Sequence, residues 1–238
     1  MWITLLLVVG SVLLVVSGFT WAARREALER ARDLEALEPI GIASLSEPRM
    51  VAVRGRVVAD EPLTDPVTGE RVVFFEARLA RVDGDEKALR VLRGGDVFRL
   101  DQQGERAEVR LHAAELAIEW EELESSDRDP SPRMRALLEA GGLPVPATDR
   151  SARYMLFHRA IRVGGELTVV GTPSFEAGAL PTFEANGAML IVTDGELDAL
   201  KERERADMRA MSIMLRIAVV VGAIAIGTAG VLVAIASG

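Results

Sequence analysis

The chain has 238 residues, no cysteine, and 36 acidic against 28 basic residues, for a formal net charge of −8. Without cysteine there are no disulfides, thiol nucleophiles, iron–sulfur clusters or thiolate zinc sites. The acidic balance, with no Lys/Arg cluster standing free of acids, speaks against a face that neutralises nucleic-acid phosphates.

The first element is the charge-free run Trp2 to Ala23. A bilayer core of about 30 Å takes about 20 helical residues, so residues 1–23 are predicted as a transmembrane helix. Met1-Trp2-Ile3-Thr4 lacks the basic start of a secretory leader, which makes this an uncleaved anchor. Over 24–39 the Arg, Glu, Ala and Leu content, with Leu28, Ala31, Leu34 and Leu37 at helical spacing and Pro39 as a stop, predicts a juxtamembrane helix.

From 40 to 193 the period changes from about 3.6 to 2. Alternation is cleanest at Arg106 to Leu111, where Ala107, Val109 and Leu111 interleave with charged residues. Further strands are predicted at Val51 to Val58, Val72 to Val82, Val97 to Leu100, Glu115 to Trp120, Leu167 to Gly171 and Met189 to Thr193. Pro66-Val67-Thr68-Gly69 and Asp83-Gly84-Asp85 are turn signals, and Gly94-Gly95, Gly141-Gly142 and Gly164-Gly165 read as turns before strands. Ser125 to Pro132 is polar, Met134 to Ala140 predicts a short helix, and Gly141 to Asp149 is again rich in Gly and Pro. This insert reads as a solvated connection, with a mobile lid as the alternative.

Thr193 and Glu196 have capping-box spacing, and Leu197, Leu200, Met208 and Met211 form a stripe, which predicts a second juxtamembrane helix over 194–216. It runs into a second span at 217–236, again free of charge, where small residues recur four apart (Ala223/Gly227, Ala225/Ala229, Gly230/Ala234). Such spacing permits close contact with the first span or with another copy. The two charged helices are expected to pair with each other, or else to join a second subunit. Arg24, Arg25, Arg30 and Arg32 flank one span, and Lys201, Arg203, Arg205, Arg209 and Arg216 the other. All lie on the domain side, which predicts a two-span inner or plasma membrane protein with a cytoplasmic central domain.

Gly55-Arg56-Val57-Val58, Pro62-Leu63-Thr64-Asp65-Pro66-Val67-Thr68-Gly69 and Val72-Val73-Phe74-Phe75-Glu76 together resemble the opening of the GIDE domain. This is also called the BAM (beside-a-membrane) domain, found in mitochondrial ubiquitin ligases and their prokaryotic relatives. Leu167 to Gly171 followed by Met189 to Thr193 resembles the family's closing strands before a charged helix and a span. The family's ligase activity resides in a cysteine-bearing RING finger after the second span, which this sequence does not supply. The resemblance therefore implies binding or regulation beside a membrane, and a ubiquitin-ligase label by family alone.

His112 and His158 are the only histidines, and neither has ligand spacing; each is expected as a core or surface residue. The acidic run Glu119, Glu121, Glu122, Glu124, Asp127 and Asp129 reads as a solvated strand end and loop, with a basic partner as the alternative. Arg54, Arg56, Arg71 and Arg78 are candidates for one sheet face able to take an anion or lipid headgroup. No P-loop, dinucleotide fingerprint or nucleophile elbow occurs, and neither span holds an ionisable group of the kind an ion pathway uses.

The expectation is an α+β chain: a mainly antiparallel β domain, with a barrel-like form and two lobes as options, between two transmembrane helices. Its function is expected to be binding or scaffolding at the membrane surface, without catalytic activity of its own. The expected partners are the lipid bilayer, a protein and, through the spans, a second copy, with no nucleic acid. No catalytic, cofactor-binding or metal-ligating residue is assigned, and no cofactor is expected. The alternatives are a component of a ubiquitin-like ligase system and a hydrolase using His158, Tyr154 or the acidic run.

Overall fold

The computed structural model describes residues 25, 27–82, 86–139, 142, 144–145 and 152–237, without the side chains of 86–88, 218, 222, 225, 226, 229, 230 and 232–237. The expected first span and the Asp83-Gly84-Asp85 turn lie outside these residues. The chain divides into two units, a helical one (Met1–Leu37 with Asp198–Gly238) and a β-rich one (Glu38–Leu197). It is mainly β with a few helices, an α+β mix.

In the helical unit, α1 covers 27–35 and α3 covers Leu197–Ser237. Arg205 binds Glu35 at 2.5 Å, Arg30 reaches Glu204 at 2.7 Å, and Lys201 donates to the carbonyls of Glu35 and Leu37. The Lys201 contacts satisfy carbonyls left open at a helix C-terminus and place a cation at its negative end. The two charged helices thus pair antiparallel. Among the described residues no helix is long and apolar enough to cross a membrane. Residues 217–236 are helical backbone within α3, with part of their side chains outside the described set.

The β-rich unit holds two sheets. The first runs β12-β13-β7-β6-β2-β11-β14-β8, with β1 also on β2. Its strands are β1 (Pro39–Ile40), β2 (Val51–Val58), β6 (Val97–Gln102), β7 (Glu105–Arg110), β8 (Glu115–Leu116), β11 (Glu166–Gly171), β12 (Pro173–Ser174), β13 (Thr182–Glu184) and β14 (Ile191–Thr193). The second sheet runs β3-β4-β10-β9 with β5 also on β4. Here β3 is Leu63–Thr64, β4 Arg71–Val82, β5 Glu86–Gly94, β9 Glu121–Asp127 and β10 Arg153–Arg162. Pairing is antiparallel except at β1/β2, β13/β7 and β14/β8.

No sheet closes into a barrel, so the barrel option is corrected. The first sheet ends on β12 and β8, strands of two residues each, too short to carry the staggered ladder that closure demands. The expected strand Glu115 to Trp120 likewise stops at Leu116, because the chain leaves the first sheet there to enter the second.

Both glycine pairs with described backbone mark crossings between sheets. Gly94-Gly95 joins β5 to β6, and Gly164-Gly165 joins β10 to β11. Gly95 has φ +84°, and a Cβ there would stand 1.9 Å from the Val73 carbonyl oxygen, so no other residue fits.

Each sheet has its own core. The first collects Val53, Val57, Leu100, Val109, Leu111, Val169, Phe183 and Val192 with Phe74 and Ile161. The second collects Ala77, Leu79, Tyr154 and Leu156 under Met134 and Leu138 of α2 (Pro132–Glu139). Within the segment expected as a solvated connection or lid, the helix is instead a wall of the second core, while most of Gly141 to Asp149 lies outside the described residues. The acidic run is solvated, with Glu119, Glu121, Glu122 and Asp127 exposed, and most of it forms a strand of its own, β9, paired along β10.

Candidate functional site

β4 and β10 pass from one core to the other side by side. Phe74 opposite Ile161 belongs to the first core, and Leu79 opposite Leu156 to the second. At the seam between them His158 stands opposite Ala77, and His158 is 1% exposed.

Its partner comes from the loop between β3 and β4. Asp65-Pro66-Val67-Thr68-Gly69 is built for a tight turn: the aspartate bonds forward to the backbone, proline presets φ, and Gly69 takes φ +76°. Asp65 Oδ1 accepts the Val67 N–H at 2.8 Å, and Oδ2 accepts the Thr68 hydroxyl at 2.9 Å. His158 Nε2 donates to Oδ2 at 2.5 Å, with both side chains essentially sealed from solvent. Burial pushes the Asp65 carboxyl up, but the Val67 N–H, the Thr68 hydroxyl and His158 together hold it below the usual carboxylate range. The loop is clamped from outside by Arg162 on Glu70 at 2.5 Å and by Arg133 of α2 on the Val67 carbonyl.

A cleft of about 360 Å³ opens beside His158, with Trp120, Glu121, Arg159, Arg162 and Asp194 in its lining. Arg159 donates two hydrogen bonds to Glu76, at 2.8 and 2.5 Å, and a third to the Leu116 carbonyl at 3.0 Å. Its guanidinium lies 4.5 Å from the Trp120 ring centroid. On the same sheet Arg93 lies over Phe74 and donates to the Leu111 carbonyl. These two arginines tie the second sheet to the segment where the first sheet ends.

The cleft's basic groups are thus already matched, Arg159 by Glu76, Arg162 by Glu70 and His158 by Asp65. Its exposed carboxylates, Glu119, Glu121 and Asp194, carry the remaining charge. Among the described residues no hydroxyl hydrogen-bonds His158. Tyr154 is buried four residues along the same strand, about 13 Å away at the usual strand rise, and is not brought to the pair. His112 is exposed. Among the described residues no group of three His, Asp or Glu has the geometry to hold a metal ion.

The four arginines proposed for one face are divided, which corrects that reading: Arg54 and Arg56 lie on β2 of the first sheet, Arg71 and Arg78 on β4 of the second. Arg54 and Arg56 line a second cleft of about 400 Å³, where Arg54 is held by Glu166 and Glu196, each at 2.8 Å. Asp65 is the residue that sequence reasoning passed over. The Asp-Pro-x-Thr-Gly pattern marked its turn, but only the fold reveals that a strand 93 residues away supplies the histidine.

Comparison with family models, with curated proteins and with solved structures finds no match to this chain.

Proposed function

We propose that this chain is a membrane-anchored binding or scaffolding module of the GIDE type, held at the membrane surface by its two ends. The observation that carries the reading is the surface of α3. Ile213, Met214, Ile217, Val220, Ile224 and Val231 are exposed around that helix, each by more than half. Residues 217–236 carry no charged side chain. Exposed apolar side chains of this kind favour an apolar medium, and the charge-free stretch 217–236 of the sequence has the length that a bilayer core takes. The antiparallel pairing of α1 with α3 supports the same reading, because it brings the two charged juxtamembrane helices together side by side. The segments that resemble the family occupy neighbouring elements: β2, β3 with its turn and the start of β4, then the paired strands β11 and β14. On this reading the domain works by contact, through its clefts and edges, and a ligase label belongs to other members of the family.

The native chain has no cysteine, so one placed in the exposed loop after β12 reports the domain's side of the membrane. In Ala177→Cys the protein is expected to stay with the bilayer through an alkaline carbonate wash. An impermeant thiol reagent is expected to label it only after lysis. Recovery in the soluble fraction would overturn the anchoring, and labelling of intact cells would overturn the cytoplasmic placement.

A further inference from the structure

The geometry points to self-association of this chain through the two open edges of its second sheet, edge to edge between copies. Across β5-β4-β10-β9 every pairing is antiparallel, so the two outer strands run in opposite directions. A second copy placed by translation alone would therefore continue the antiparallel ladder, its β5 against β9 of the first. Among the described residues neither outer strand has a partner on its outward side.

Open strand edges are ordinarily kept apart by charge, and like charges on both edges would achieve that. Here the signs are opposite. β9 carries Glu121, Glu122, Glu124 and Asp127 and no base, whereas β5 carries Lys87, Arg90 and Arg93 against Glu86 alone. The register adds position to sign. Glu124 is level with Leu156, Leu156 with Leu79, and Leu79 with Arg90. In an unshifted second copy Glu124 would thus face Arg90, with Glu122 beside it facing the exposed Val91. The like-signed pair, Asp127 with Glu86, falls at the ladder's end. Such a contact is heterologous and does not close on itself, so it builds rows of copies rather than a closed pair. The inference rests on the sheet and not on membrane anchoring.

The test is sedimentation of the full chain, in detergent where solubility requires it, with two charge-reversed variants: Glu122→Lys/Glu124→Lys and Lys87→Glu/Arg90→Glu. The unmodified chain is expected to form multimers at low salt that dissolve at high salt. Each variant is expected to weaken them by about tenfold, since reversal turns cross-strand attraction into repulsion. An equal mixture of the two variants is expected to restore multimers, because each one's altered edge then meets its complement. An unmodified chain that is monomeric at low salt would overturn the inference. So would multimers that survive both high salt and each reversal, which would assign association to another surface such as the small residues of α3.

Discussion

The two sheets of the domain hold themselves together by different physics. The first core is made of aliphatic and aromatic side chains from β2, β6, β7, β11 and β14, with no ionisable group among them. Its stability is burial of apolar surface, spread over many residues and indifferent to protonation. The second core is smaller and is joined to the first across a buried Asp65–His158 pair. There, stability is concentrated in a few polar groups whose mutual satisfaction is close to all or none. The lesson is that one domain can be robust on one side and pH-sensitive on the other.

The largest effect is expected at the seam. Asp65→Ala strands His158 and the Val67 N–H without their acceptor, and loss of one partner of a buried pair costs about 3–5 kcal/mol. Chemical denaturation at neutral pH measures this, and a loss below 1 kcal/mol, on the order of an exposed pair, would dissolve the contrast between the two sheets. The pH dependence sharpens it. Asp65 titrates lower in the folded chain than its ordinary value, so the folded state binds fewer protons there than the unfolded one. Its contribution is complete above the unfolded carboxylate value near pH 4, and is lost as pH falls from there through the depressed folded value. The unmodified chain should lose stability over that acid window more steeply than Asp65→Asn; parallel curves would show that the carboxylate is not responsible.

A smaller loss, about 3 kcal/mol, is expected for Leu100→Ala in the first core, where Leu100 is fully buried. This loss should be the same at pH 7 and in mild acid; a pH-dependent loss would contradict the description of the first core as purely apolar. The smallest effect is expected between the sheets. Arg159→Ala removes the partner of Glu76, the donor to Leu116 and the cation over Trp120. Hydrogen bonds to charged groups in such a half-buried site are worth about 1.5–3 kcal/mol. Trp120 fluorescence should shift in the same variant while the chain remains folded, and an unchanged spectrum would mean that the stack does not form.

Much of the first sheet was legible in the sequence. β2 has the predicted bounds, and β6, β7, β11 and β14 differ from prediction by two residues or fewer at either end. They read clearly because one face of each is buried in an apolar core, which forces alternation or a continuous apolar run. The second sheet was half hidden. β5, β9 and β10 carry Glu, Lys, Arg, Ser and Asp through much of their length, and such composition reads as loop unless a neighbour is known. β10 is the plainest case: Arg153, His158, Arg159 and Arg162 interrupt its apolar residues, yet the strand is held on both sides by β4 and β9. The capping signal at Thr193 and Glu196 was also redirected, since Thr193 Oγ1 takes the Gly195 N–H and so shapes the turn before α3.

By itself the sequence determined the apolar character of both ends, the helices next to them, the β nature of the middle and the absence of thiol chemistry. These properties depend on local composition and period, which need no partner to be expressed. The tertiary structure decided where the strands divide into two sheets, that neither closes, that α2 is a core wall, and that Asp65 meets His158. Each of these depends on residues far apart in the chain, and burial alone gives a carboxylate and an imidazole reason to stay together at the seam.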